Sequence, residues 1–388
     1  MHFIARREML IPNPIPRSPK QTVLTLLLLL SVLWLGTSQW NRSSIHSIQL
    51  SAFDGHSTSP VDISQVCAAH NFRLTASSYT TDENGDRKRR VYDFFLLSTE
   101  LDWLEIRLNT LYAYVDYFVI VESDRTFTGR PKPLSLRENW SKFDSFHPKI
   151  IYVVVEDKVS STRTWDHEDA FRNGLLYETM PQIAGKEQEP RYGDAMIISD
   201  IDEIPRPETV KLLRYCDFPD RLTLRSHFYY YSFQWLHRGQ QWAHPQATVY
   251  RGLESTISPV DLRNDEGGPG FSLFRPLQRA RQRADLYDAA WHCSSCFRTV
   301  KEMQTKIQSF SHTPWNTEQN RDPKTMIERV RNGIDLFNRP GEIYDKIESN
   351  PDVPRYILEH SKDFKYMLDR DGEEAGFEDA QDLGLGPT

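Results

Sequence analysis

The stretch from Val91 to Ser123 constrains the fold more than any other part of the sequence. "VYDFFLLS" (Val91 to Ser98) is apolar enough for a buried strand, and "LDWLEIRLNTLYAYV" follows with Leu101, Leu104, Leu108, Leu111 and Val115 at helical spacing. "YFVIVES" (Tyr117 to Ser123) then returns to strand character. Strand, helix and strand in this order form a βαβ unit, which implies parallel strands joined by a right-handed crossover. The alternation continues, with "KIIYVVVED" as a third strand, "DHEDAFRNGLLYETM" as a second helix and "AMIIS" as a fourth strand. The expected architecture is α/β, a Rossmann-like mixed sheet with flanking helices.

In open α/β sheets, ligands bind beyond the carboxyl ends of the strands. Those ends carry Ser98 to Glu100, Glu122 to Asp124, Glu156 with Asp157, and then Asp200, Asp202 and Glu203, so acid collects on one edge. The densest part is "DAMIISDIDEIPRPE", Asp194 to Glu208. Carboxylates this close repel one another and resist desolvation, so the cluster calls for a cation, a proton or strong hydrogen bonds. A hard divalent ion prefers oxygen ligands and keeps part of its shell for water and phosphate. Asp200 and Asp202, two apart at a strand end, are the expected metal pair, and the ion would neutralise a diphosphate leaving group. D-x-D alone is a weak motif whose bland reading is a solvated acidic turn. The preceding strand and the following Pro205 and Pro207 strengthen it. The dinucleotide pattern G-x-G-x-x-G is missing from the first strand-to-helix turn and there is no Walker A motif, so NAD, FAD and P-loop readings lose their support. A net charge of −7 gives no basic face for a nucleic-acid partner.

From Gln21 to Asn41 there is no charged residue, and the run is rich in Leu and Val. At about 1.5 Å per residue it spans roughly 30 Å, close to a hydrocarbon core. Arg6, Arg7, Arg17 and Lys20 precede it against a lone Glu8, which keeps the N-terminus cytosolic. The reading is a cytosolic tail over 1–20, a transmembrane signal anchor over 21–41, a flexible Ser- and Thr-rich stem over 42–90, a folded domain over 91–368 and an acidic disordered tail over 369–388. A cleaved secretory signal is the competing reading, since Gly36 and Ser38 are small enough for processing. Either way the chain enters the secretory pathway, where Cys67, Cys216, Cys293 and Cys296 are expected in disulfides, with three possible pairings. Two sequons, at Asn41 and Asn139, suit that address.

"SDIDEIPRP", "ELDWLEIRL", "YFVIVESDRTFTGRPKPL", "AWHCSSCF" and "KIQSFSHTPWN" together resemble glycosyltransferase family 17, the β-1,4-mannosyl-glycoprotein 4-β-N-acetylglucosaminyltransferases. The resemblance runs in order from about Val91 to Tyr366. It implies a GT-A-type fold, UDP-N-acetylglucosamine (UDP-GlcNAc) as donor, a divalent cation such as manganese, and inversion at the sugar carbon. It also implies a glycoprotein or glycan acceptor and a single-pass type II Golgi membrane protein with a luminal catalytic domain. Asp200 and Asp202 would then be the D-x-D pair, with Asp200 also facing the nucleotide.

The remaining roles have rivals. Glu122 is placed to meet uracil or ribose, or to cap a helix. Arg172 could reach the nucleotide, or simply cover a helix surface. His292 could complete the metal shell as imidazole, or be a hydrogen-bonded core histidine. Lys306 and His312 could hold phosphate or acceptor. Inversion needs a carboxylate to take the acceptor proton, and Glu203, Asp265 and Glu266 are the candidates. The aromatic run Phe228 to Tyr231, Phe233 and Trp235 reads as a core strand more readily than as a sugar platform. From Arg238 to Asp288 the chain departs from the family pattern, where acceptor contacts are expected. A non-catalytic luminal glycan-binding protein that retains the fold is the alternative to an enzyme; a phosphate-ester hydrolase would need a denser ligand set.

Overall fold

Four strands form the parallel half of the sheet: β1 (Val91–Leu97), β2 (Tyr117–Glu122), β3 (Ile150–Val154) and β4 (Ala195–Asp200), in the order β3-β2-β1-β4. The computed structural model describes residues 63–75, 89–267 and 279–384. The expected tail over 1–20 and anchor over 21–41 lie outside these residues; among the described ones, no helix is long and apolar enough to cross a membrane.

Helix α1 (Leu101–Leu111) joins β1 to β2, and α2 (Thr164–Tyr177) leads into β4. Alternate residues of β1 point to opposite faces, as strand geometry requires. Phe95 packs with Trp103, Leu104 and Leu108 of α1 and with Val210 and Leu213 of α3 (Pro207–Tyr215). Phe94 packs with Phe171, Leu175 and Leu176 of α2. Both faces are covered, which is why these strands read as unbroken apolar runs.

Beyond β4 the sheet becomes mixed. It continues through β5 (Glu203–Pro205), β6 (Arg221–Tyr230), β7 (Ser232–His237), β8 (Gln246–Val249), β9 (Arg283–Ser294) and β10 (Tyr344–Lys346). β8 lies antiparallel to β4 and to β6, while β9 runs parallel to β6 and antiparallel to β5. The sequence reading missed β9. Its charged first half shows no clean alternation, and it is held by pairing to β6. Two further helices bound the site, α4 (Pro259–Arg263) and α5 (Val300–Ser309), and α6 (Pro323–Asn332) follows. A capping box formed by Thr299 and Glu302 starts α5. The aromatic run is core as expected: Tyr229, Tyr230, Tyr231, Phe233 and Trp235 are buried, and Phe228 is the half-buried exception.

Two expectations about the flanks are corrected. Within the stretch read as a flexible stem, Ile63–Ala69 is helical and Arg73–Leu74 pairs with Cys216–Asp217. A Cys67–Cys216 disulfide fastens this segment to the body. The other disulfide joins Cys293 to Cys296. Within the stretch read as a disordered tail, Arg370, Ala375, Phe377 and Ala380 are buried. Arg370 donates to the carbonyls of Tyr231, Ala375 and Phe297. Both segments are too polar to show a period, and what orders them is contact with distant residues.

Candidate active site

At Asp200 the chain leaves β4, turns through Ile201 and Asp202, and re-enters the sheet at Glu203. Glu203 closes this turn by accepting the Asp200 N–H at 2.9 Å. From below, the fully buried Arg107 of α1 donates to the carbonyls of Asp200, Ile201 and Glu203 at 3.0, 3.2 and 2.8 Å. Its own charge is met by Asp93 of β1 at 2.6 Å. An arginine donating to three carbonyls and a carboxylate fixes the turn's backbone.

The turn faces a cavity of about 400 Å³ whose lining includes Glu100, Glu122, Lys132, Arg172, Asp202, Trp242, His244, Arg263, His292 and Lys306. Its acids are not equivalent. Asp200 accepts from Arg172 at 2.8 Å on one oxygen and from Arg263 at 2.7 Å on the other. Glu203 accepts from both Arg263 Nη atoms at 2.9 Å and from Trp242 Nε1 at 2.8 Å. Burial opposes ionisation of both, but the guanidinium groups outweigh it: Asp200 is held below the usual carboxylate range by Arg172 and Arg263, and Glu203 well below it by Arg263.

Asp202 is the contrast. Among the described residues no hydrogen bond reaches its carboxylate, and the nearest ionic partner is His292 Nε2 at 3.9 Å. Burial pushes it up to about 7; Lys306 pulls it down, and Asp200 and Glu203 push it up further. Among the described residues His292 Nδ1 is buried without a hydrogen-bond partner, and burial lowers this imidazole to about 4.

The structure brings Glu122, Arg172, Asp200, Asp202, Glu203, His292, Lys306 and His312 to one cavity. Glu122 is tied down by Tyr152 Oη at 2.6 Å, by the Leu136 N–H at 3.3 Å and by Lys132 at 3.7 Å. Arg172 bridges Asp200 and Glu168 and so positions the turn. Lys306 lies 3.3 Å from Glu100 and is raised by Glu100 and Asp202 against the effect of burial. Asp265 and Glu266 do not line the cavity. Asp265 is instead paired with Arg283, and the Glu266 side chain is exposed. Their place beside the Gly-rich segment carried no information about which way the loop turns. Both oxygens of Glu203 are engaged, by Arg263, Trp242 and the Asp200 N–H, so the carboxylate is not free to take an acceptor proton in this geometry.

Sequence reasoning missed Arg107, Lys132, Trp242, His244 and Arg263. Arg107 and Lys132 stand inside quoted motifs and could have been found there; nothing local marks the other three.

As for a cation, no group of three His, Cys, Asp or Glu converges as a ligand set among the described residues. With both Asp200 oxygens given to arginine, the expected pair of aspartate ligands does not fit. The unpaired Asp202 carboxylate does fit an ion held by one carboxylate, with phosphate oxygens and water completing its shell.

Fold and cavity together define an α/β protein whose sheet-edge site, with Lys306 acting on an Asp202 carboxylate that accepts no hydrogen bond among the described residues, suits a phosphate-bearing ligand. The chain belongs to glycosyltransferase family 17, whose model matches residues 20–257 and 277–373. It is similar to the β-1,4-mannosyl-glycoprotein 4-β-N-acetylglucosaminyltransferases of Rattus norvegicus, 26% identical over 301 residues, and of Homo sapiens, 26% identical over 306 residues. These alignments cover 72% and 74% of this chain. The chain spans about half the length of these relatives, 55% and 56% respectively.

Proposed function

We propose that the protein transfers N-acetylglucosamine, with inversion, from UDP-GlcNAc to a mannose-containing glycan of glycoproteins, with a β-1,4 linkage to the core β-mannose as the family default. The fold in this reading is GT-A-type, and the luminal domain is held in the Golgi membrane by the segment 21–41. The observation that carries it is the unpaired Asp202 carboxylate, facing Lys306 across the cavity while its neighbours are saturated by arginine. A bound dication such as manganese would neutralise the diphosphate and stabilise it as a leaving group. Asp202 would hold that ion, with His292 beside it. Arg107, Arg172 and Arg263 keep the turn in one geometry, and Lys132 and Lys306 match the charge of the nucleotide. In the transfer the acceptor hydroxyl oxygen bonds to the sugar carbon and gives up its proton to water, the bond from that carbon to the phosphate oxygen breaks, and UDP leaves with the electron pair.

The test is to incubate the full chain in detergent with UDP-GlcNAc and manganese over a panel of mannose-terminated glycans. UDP release that needs both acceptor and metal, and is lost in Asp202→Ala, supports the reading. UDP-GlcNAc binding without turnover on any acceptor would replace it with a glycan-binding protein.

A further inference from the structure

The cavity has two chemically different ends. Strand ends follow sheet order, so Glu122 of β2 and Ser98 after β1 stand to one side of Asp202. Gln246 lies opposite Ile198 in the antiparallel β8–β4 pair, so the residues leading into β8 pass the carboxyl end of β4 on the other side. The first end is ionic, with Lys132 3.7 Å from Glu122 and Lys306 3.3 Å from Glu100. The second carries rings, set beside an Arg263–Glu203 pair that is already closed on itself.

Trp242 is fixed there from three directions. Its backbone exchanges two hydrogen bonds with Ser226 of β6, at 3.0 and 2.9 Å. Its indole N–H is held by Glu203, and its ring lies 5.5 Å from Phe228 and 5.2 Å from His292. His244 meets it edge-on at 5.3 Å. His244 Nδ1 accepts from Gln246 Nε2 at 2.6 Å, which leaves Nε2 to carry the ring proton. Burial keeps this imidazole neutral at physiological pH by lowering it to about 4.

We infer that this ring-lined end is the acceptor subsite, where Trp242 packs against the apolar face of a neutral hexopyranose and His244 Nε2–H donates to one of its hydroxyls. The inference rests on the transferase reading above. A nucleoside diphosphate carries concentrated negative charge, and Lys132 and Lys306, now held by Glu122 and Glu100, are the ammonium groups of the other end that can turn to it. The uncharged partner is left for the rings, which bury the C–H face of a sugar while their polar atoms meet its hydroxyls. The preorganised indole loses little conformational freedom on binding.

Calorimetry on the full chain tests this, with a mannose-terminated oligosaccharide titrated in the presence of UDP and, separately, UDP-GlcNAc titrated alone. Trp242→Ala and His244→Ala should each weaken oligosaccharide affinity, the former by about tenfold, equivalent to about 1.4 kcal/mol. UDP-GlcNAc affinity should stay within about twofold. Trp242→Phe keeps a ring but loses the bond to Glu203, and should retain oligosaccharide binding, which separates stacking from loss of the Glu203 contact. If Trp242→Ala fails to fold, His244→Ala carries the test. No saturable oligosaccharide binding by the wild type, unchanged affinity in both alanine variants, or a selective fall in UDP-GlcNAc affinity would overturn the subsite. Binding that is lost in the variants, from a wild type that transfers nothing, would sink the transferase reading and leave the subsite standing.

Discussion

Compare two partly buried acid clusters that border this sheet, which differ in whether their hydrogen bonds close. In the first, Asp352 accepts from Arg206 at 2.6 Å, His227 at 2.5 Å, Tyr229 at 2.8 Å and Trp291 at 2.8 Å. His227 is bound on its other nitrogen by Asp288 at 2.7 Å. In the second, at the cavity, Asp200 and Glu203 are equally saturated, yet Asp202 between them accepts nothing among the described residues. A closed network holds strands in register, because every buried charge has its partner. An open one keeps a destabilising charge in place, and such groups concentrate where a ligand completes the set.

That contrast breaks most sharply in the closed network. Asp352→Ala leaves Arg206 and His227 facing each other without their shared acceptor, and should cost about 3–5 kcal/mol in urea unfolding. A comparable loss is expected for Arg263→Ala, which strands Asp200 and Glu203. Finding either within about 1 kcal/mol of wild type would dissolve the distinction. Asp202→Asn should do the opposite, with stability unchanged or raised. UDP release should then fall by about 100-fold or more, the scale of losing one electrostatic stabiliser of a transition state.

A smaller effect sharpens the comparison through pH. Hydrogen bonds donated to Asp288 and Asp352 push His227 up to about 9 from its ordinary 6.5. Protonated His227 therefore stabilises the fold, fully below 6.5, and the contribution is lost as pH rises through about 9. Unfolding free energy should fall across that window in the wild type, and fall less in His227→Gln. The smallest effect belongs to Glu266, which is exposed and outside the cavity. Glu266→Gln should change stability by no more than about 0.5 kcal/mol and leave turnover intact; a large loss of turnover would return that residue to the site.

The parallel half of the fold was legible because its strands and helices bury whole faces. β1 to β4, α1 and α2 announce themselves by period. The acidic turn was legible as well, since its carboxylates are neighbours in the chain. Its neutralising partners were not. Arg263 is 63 positions from Asp200 and Trp242 is 39 from Glu203, and neither carries a local pattern. Cys67 finds Cys216 across 149 residues, which turned part of an apparent stem into folded structure.

By itself the sequence determined the α/β order, the edge of the sheet where acid gathers and the family resemblance, because these are written in short-range period and contiguous motifs. Only the tertiary structure decided which of the three clustered acids accepts no hydrogen bond among the described residues. A buried carboxylate is defined by its partners, and the arginines that claim Asp200 and Glu203 reach them only once the chain has folded.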